Sequence, residues 1–214
     1  MKRNNKTLFF IGGTLLALLV AVSAVTAYFV TRDSSPNEIK IPQNVIGVSE
    51  TFDPPDEQTT GDNIFRKTVS IKNTGGAPCF VRVYADFSDS FARSRSFISD
   101  GDDPDALNFF SAERIIDPDD GRLTFVEYVN RGDDWSFVPD DSGTPLAGYY
   151  YYKSVLPAGS ATPPLFTYIK TVNESDDDID EFDITVYSES VQTTAPDGTP
   201  YSDYTAAWTD RAGQ

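Results

Sequence analysis

Three aspartate-rich stretches are the parts of this sequence whose residue types and spacing suit metal chemistry. They are Asp100-Gly101-Asp102-Asp103-Pro104-Asp105, Asp117-Pro118-Asp119-Asp120-Gly121 and Asp176-Asp177-Asp178. Carboxylates at this density offer oxygens to calcium, which takes roughly six to eight of them. The middle loop supplies Asp117, Asp119 and Asp120 as candidate calcium ligands. It departs from an EF-hand, because its glycine falls at the fifth position and no glutamate falls at the twelfth. Solvated turns that oppose aggregation are the simpler reading of all three stretches, and a calcium-dependent binding module is the alternative.

Other chemistry is limited by what the chain lacks. It contains no histidine, which removes the commonest general base and the commonest zinc ligand. Carboxylate pairs are abundant, but a composition this acidic produces them by chance. No glycine-rich phosphate loop is present, since Gly12-Gly13 lies in an apolar leader. No enzymatic activity and no cofactor beyond calcium are therefore expected.

The single cysteine excludes an intramolecular disulfide. In Cys79-Phe80-Val81-Arg82-Val83-Tyr84-Ala85-Asp86-Phe87 the odd positions are apolar and the even ones include Arg82 and Asp86. Period two puts Cys79 on the buried face as an inert thiol, in preference to an intermolecular bridge. Arg131-Gly132-Asp133 reads as a polar turn despite spelling an integrin tripeptide. Asn173-Glu174-Ser175 matches the glycosylation acceptor pattern. Tyr149 to Tyr152, as a strand, places two tyrosines on each face, with one pair inward and the other suited to an interface.

These residues sit within a recognisable organisation. Lys2, Arg3 and Lys6 precede an uncharged run from Leu8 to Val30, and Val25-Thr26-Ala27 offers small side chains. That is the layout of a secretory signal, with cleavage expected between Ala27 and Tyr28 by a signal peptidase. The alternative is an uncleaved anchor, the one route by which this chain would contact a membrane. Losing residues 1–27 removes three basic groups and no acidic ones, leaving 187 residues with 14 basic and 33 acidic side chains, a net charge near −19. Such a surface repels nucleic acid, so no nucleic-acid role is expected. An aromatic content of 13% argues against a disordered acidic chain.

The remainder divides into a polar lead-in at 28–44, containing Pro36 and Pro42, and a domain at 45–214. Phe65, Val69 and Ile71 alternate with polar neighbours, and Asn73-Thr74-Gly75-Gly76 then precedes the Cys79 run, which together predict a β-hairpin. Further strands are expected at Leu123–Val129, Trp135–Val138, Tyr149–Val155, Leu165–Val172 and Phe182–Val191. A helix is expected over Ala106–Ile116, started by Asp103-Pro104-Asp105, and one or two turns between Asn173 and Glu181. Short strands divided by Gly, Pro, Asp and Ser predict a mainly β fold. The expected form is an antiparallel β-sandwich or jelly roll with one or two short helices in loops, preceded by the signal helix.

Several of these segments resemble a known group. Ala27-Tyr28-Phe29-Val30-Thr31 is similar to the cleavage region of proteins with a SipW-dependent type of signal peptide, from Gram-positive spore-forming bacteria and their relatives. Ile71-Lys72-Asn73-Thr74-Gly75 with Phe80-Val81-Arg82-Val83 resembles their recurrent hairpin. Tyr149-Tyr150-Tyr151-Tyr152-Lys153, Leu156-Pro157-Ala158-Gly159 and Thr162-Pro163-Pro164-Leu165-Phe166 look like their late strands. Phe182-Asp183-Ile184, Tyr187, Glu189-Ser190-Val191-Gln192 and Ala207-Trp208 continue the likeness to the end of the chain. The resemblance implies a TasA/camelysin-like jelly roll, exported to a biofilm matrix or cell surface. Some members of the group are described as metallopeptidases, but without histidine or a zinc-protease motif that activity is not carried over. The region 88–120 has no counterpart and reads as an insertion.

The expected function is that of an exported cell-surface or extracellular-matrix structural or interaction protein. It would be a fibre subunit or an accessory, and its partners would be further copies or other matrix and surface proteins. Tyr28, Phe29 and Val30 begin an apolar end, and Ile39, Ile41, Val45 and Val48 recur at mostly even spacing. A tail of that kind suits addition to an exposed sheet edge.

Overall fold

The computed structural model of the chain describes residues 44–54, 58–115, 121–178 and 181–213. Ala27, Tyr28, the lead-in up to Gln43, and Asp117, Asp119 and Asp120 lie outside these residues. The fold is mainly β, built as two antiparallel sheets. One sheet contains β1 (Ile46–Asp53), β2 (Gly61–Asn73), β4 (Ser96–Ser99), β5 (Phe110–Ser111) and β8 (Phe166–Asn173), in the order β1-β2-β8-β4-β5. The other contains β3 (Cys79–Phe87), β6 (Trp135–Phe137), β7 (Tyr150–Tyr152) and β9 (Ile184–Gln192), in the order β6-β7-β3-β9. Among the described residues three short α-helices accompany the sheets: α1 (Ser90–Ser94), α2 (Phe125–Arg131) and α3 (Tyr204–Ala212).

Strict alternation explains why the sheets share a core. In β2 the residues Phe65, Val69 and Ile71 face inward, and in β3 the residues Cys79, Val81, Val83 and Phe87 do the same. Both rows belong to one buried cluster with Ile169, Phe166, Tyr150 and Phe137. Cys79 is buried as expected, and burial pushes its thiol up to about 11. Lys67 also falls on the inward row of β2, where it pairs with Glu50 and lies over the Phe52 ring.

The predicted hairpin does not form. β2 pairs with β1 and β8, whereas β3 pairs with β7 and β9, so the Asn73–Gly76 turn carries the chain from one sheet to the other. The buried apolar rows of the two strands meet across the core, which side-by-side pairing would prevent. Asn73 holds this corner, donating to the Ala77 and Leu156 carbonyls (2.8 and 3.1 Å) and accepting from the Gly75 amide. A fully buried asparagine survives here because its polar atoms are bonded.

Two helix and strand expectations are also reversed. Leu123–Val129 forms most of α2, because Thr124 and Glu127 make a capping box in which each side chain accepts from the other's backbone amide. Phe125, Val126 and Val129 then lie on one helical face in the core. The helix expected over Ala106–Ile116 is absent. Asp103 closes a local turn by accepting from the Asp105 and Ala106 amides, and Phe110 pairs with Ile98 as β5 and stacks on Tyr128. The predicted turn after Asn173 is a 3-10 segment, Asp176–Asp178. Strands at Trp135, Tyr150, Phe166 and Ile184 fall where alternation places them.

Candidate functional site

The outer face of the four-stranded sheet is organised around Arg82. Period two points this residue of β3 away from the core, and antiparallel pairing sets it opposite Glu189 of β9 and Tyr151 of β7. Its Nε donates to Glu189 Oε2 at 2.6 Å and its Nη1 to the Tyr151 hydroxyl at 3.4 Å. Tyr149 and Trp208 enclose the guanidinium, at 3.9 and 4.3 Å from their ring centres. Burial opposes the charge, but the bonds with Tyr151 and Glu189 outweigh it and raise the guanidinium's pKa. Glu189 uses its other oxygen to accept from Tyr187 at 2.9 Å, and this bond raises the pKa of that exposed phenol.

Helix α3 covers this arrangement. Asp203 caps its start by accepting from the Ala206 amide at 2.9 Å, and Trp208 packs with Tyr151 and Leu146 in a second buried cluster. The tyrosine run contributes to both cores, with Tyr149 and Tyr152 left half-buried. Tyr150 enters the main core and Tyr151 is 0% exposed beneath the helix, where its hydroxyl donates to the Leu146 carbonyl. The C-terminal helix supplies a second core on the side that alternation assigns to solvent.

Beside this cluster lies a cleft of about 720 Å³. It is bounded by Asn44–Ile46 at the start of β1, by Tyr187–Ser190 of β9 and by the end of α3. β9 ends its sheet, and among the described residues no strand pairs with its outer side. Trp208 Nε1 and Asn44 Oδ1, a donor and an acceptor, both lie buried among the cleft's lining residues, with no hydrogen-bond partner among the described residues. Tyr187, on the same edge, is 50% exposed.

The sequence-predicted tail loses part of its length here. The Val45 carbonyl accepts from the Thr74 and Gly75 amides, and Val48 pairs with Ile71. Both belong to the domain, so a free strand would have to come from residues before Asn44.

The remaining candidates disperse. Asp100 accepts from the Tyr128 hydroxyl, while Asp176 accepts from Thr60. Among the described residues no group of three or more His, Cys, Asp or Glu is placed to hold a metal ion. Arg131 and Gly132 are the end and C-cap of α2, and the Gly132 carbonyl accepts from Lys153 Nζ. Asn173 is 1% exposed, donating to the Thr59 carbonyl and accepting from Arg95, which leaves no room for a glycan. Among the described residues no helix is long and apolar enough to cross a membrane.

Sequence reasoning missed the Arg82 cluster. Arg82 reads as an outward polar residue, and only Tyr149–Tyr152 and Trp208 hint at what covers it. A scan against protein-family models finds no match for the chain, and a search of curated proteins finds none either.

Proposed function

We propose that this is an exported structural or interaction protein of the cell surface or extracellular matrix, a jelly roll that assembles by β-strand addition at the outer edge of β9. The carrying observation is that edge itself: nine residues, Ile184–Gln192, end a sheet beside an open cleft. Strand addition saturates such an edge through main-chain hydrogen bonds, and alternate side chains fill adjacent pockets.

The occupant is the lead-in of a second copy. Residues 28–43 join the domain at Asn44, on the rim of the same cleft, and place Ile39 and Ile41 two apart as an alternating strand requires. The resemblance of the leader and the late strands to TasA/camelysin-like proteins supports export and a matrix role. Deletion of residues 28–43 should abolish polymers seen by electron microscopy while leaving the circular dichroism of the domain unchanged. Fibres of normal appearance from the deleted chain would refute the reading.

A further inference from the structure

The cleft beside β9 has a charge pattern of its own. Among the described residues its charged lining side chains are Arg82, Glu189 and Arg211. Arg82 and Glu189 are bonded to each other and offset one another. Arg211, in the last turn of α3, is exposed and makes no hydrogen bond or ion pair among the described residues. The cleft therefore holds one uncompensated positive charge on a chain whose net charge is −16. A cation in the last turn also complements the helix dipole, but that role is indifferent to what enters the cleft.

A strand added to β9 alternates its side chains between two sides. On β9 itself Ile184 and Val186 pack against the core, whereas Tyr187 and Glu189 lie on the side of Arg82 and α3. With Ile39 and Ile41 turned toward the core, Glu38 and Lys40 fall on the outer side, one negative and one positive. The cleft presents the complement, Arg211 for the carboxylate and Glu189 for the ammonium. Glu189 uses one oxygen for Arg82 and the other for Tyr187, and a carboxylate has about four acceptor sites, so it can take a further donor. Asp33, the other acid of the lead-in, lies beyond Pro36, which cannot donate to a ladder.

We propose that Glu38 and Lys40 of a second copy's lead-in engage Arg211 and Glu189, and that these two contacts set the register of the added strand. The inference rests on the strand-addition reading and supplies its specificity. A slip of one residue turns both charges toward the core and both isoleucines toward Arg211 and Glu189. A slip of two residues brings like charges together, Lys40 at Arg211 or Glu38 at Glu189.

Charge exchange between copies tests this, read by sedimentation as the critical concentration for polymers of the chain starting at Tyr28. Glu38→Arg and Arg211→Glu should each raise that concentration on the order of tenfold, since each replaces an attraction with a repulsion. Added salt should shrink the rise. Glu38→Arg/Arg211→Glu in one chain should return to the wild-type value. So should an equimolar mixture of the two single variants, because every junction between unlike copies is then matched. Circular dichroism of each monomer checks its fold, and Arg211→Gln, which removes the charge without reversing it, should give an intermediate rise. Single variants that polymerise like the wild type, while deletion of residues 28–43 still abolishes polymers, would overturn the register and leave strand addition standing. Loss of polymers that neither the double variant nor the mixture restores would overturn it too. Wild-type chains that form no polymers, or polymers that survive the deletion, would remove both readings.

Discussion

The guanidinium of Arg82 stands 4.3 Å from the centre of the Trp208 ring, which fastens the C-terminal helix to the outer face of the four-stranded sheet. Trp208→Ala should therefore lower stability by about 3–5 kcal/mol, the range for losing a large buried aromatic. Urea denaturation of the variant measures this directly. A loss below about 1 kcal/mol would mean that the helix is not docked as described.

Arg82→Lys keeps the charge but gives up the planar fork and the stacking between Tyr149 and Trp208. It should cost about 1–2 kcal/mol, because Glu189 and the Tyr151 hydroxyl are left with poorer partners. The same denaturation series reads it, with Lys72→Arg, at an exposed side chain of β2, as the control.

The capping box predicts an acid-sensitive helix. Backbone and side-chain hydrogen bonds from Thr124 hold the Glu127 carboxyl below its ordinary 4.5. A depressed pKa stabilises the fold above the unfolded value, so this contribution is present above pH 4.5 and fades as pH falls through the lower folded value. Thr124→Ala should cost about 1 kcal/mol at neutral pH and flatten the loss of stability on acidification. Chemical denaturation at several pH values between neutrality and acid checks both outcomes.

Burial of Cys79 works in the opposite direction. Its thiol is raised from 9.0 to about 11, so above pH 9 an unfolded chain releases a proton that the native chain keeps. Stability should accordingly fall as pH rises from 9 to 11. Cys79→Ala should show a shallower fall over that interval. Native protein at pH 8 should also resist thiol reagents that label it fully in denaturant.

Much of the β framework was legible because its strands alternate: Phe65, Val69 and Ile71 in β2 and the residues from Ile184 in β9 fall on the faces that period two assigns. Alternation says which face a residue occupies and nothing about which strand lies beside it. That is why Asn73–Gly76 reads as a hairpin turn and instead joins two sheets. β1 and β4 went unseen because one is largely exposed and the other spans only Ser96–Ser99. α2 was readable through Thr124 and Glu127, but β-branched and aromatic residues masked that local signal. The candidate sites were least legible, since Arg82, Tyr149 and Trp208 meet only through tertiary packing.

Amide hydrogen exchange along Ile184–Gln192 tests the central claim most directly, comparing assembled protein with the monomer that lacks residues 28–43. The amides of β9 that exchange fast in the monomer should become protected on assembly, and Tyr187 should lose its exposure to solvent. Equal exchange of β9 in both states, with polymers present, would contradict assembly through that edge.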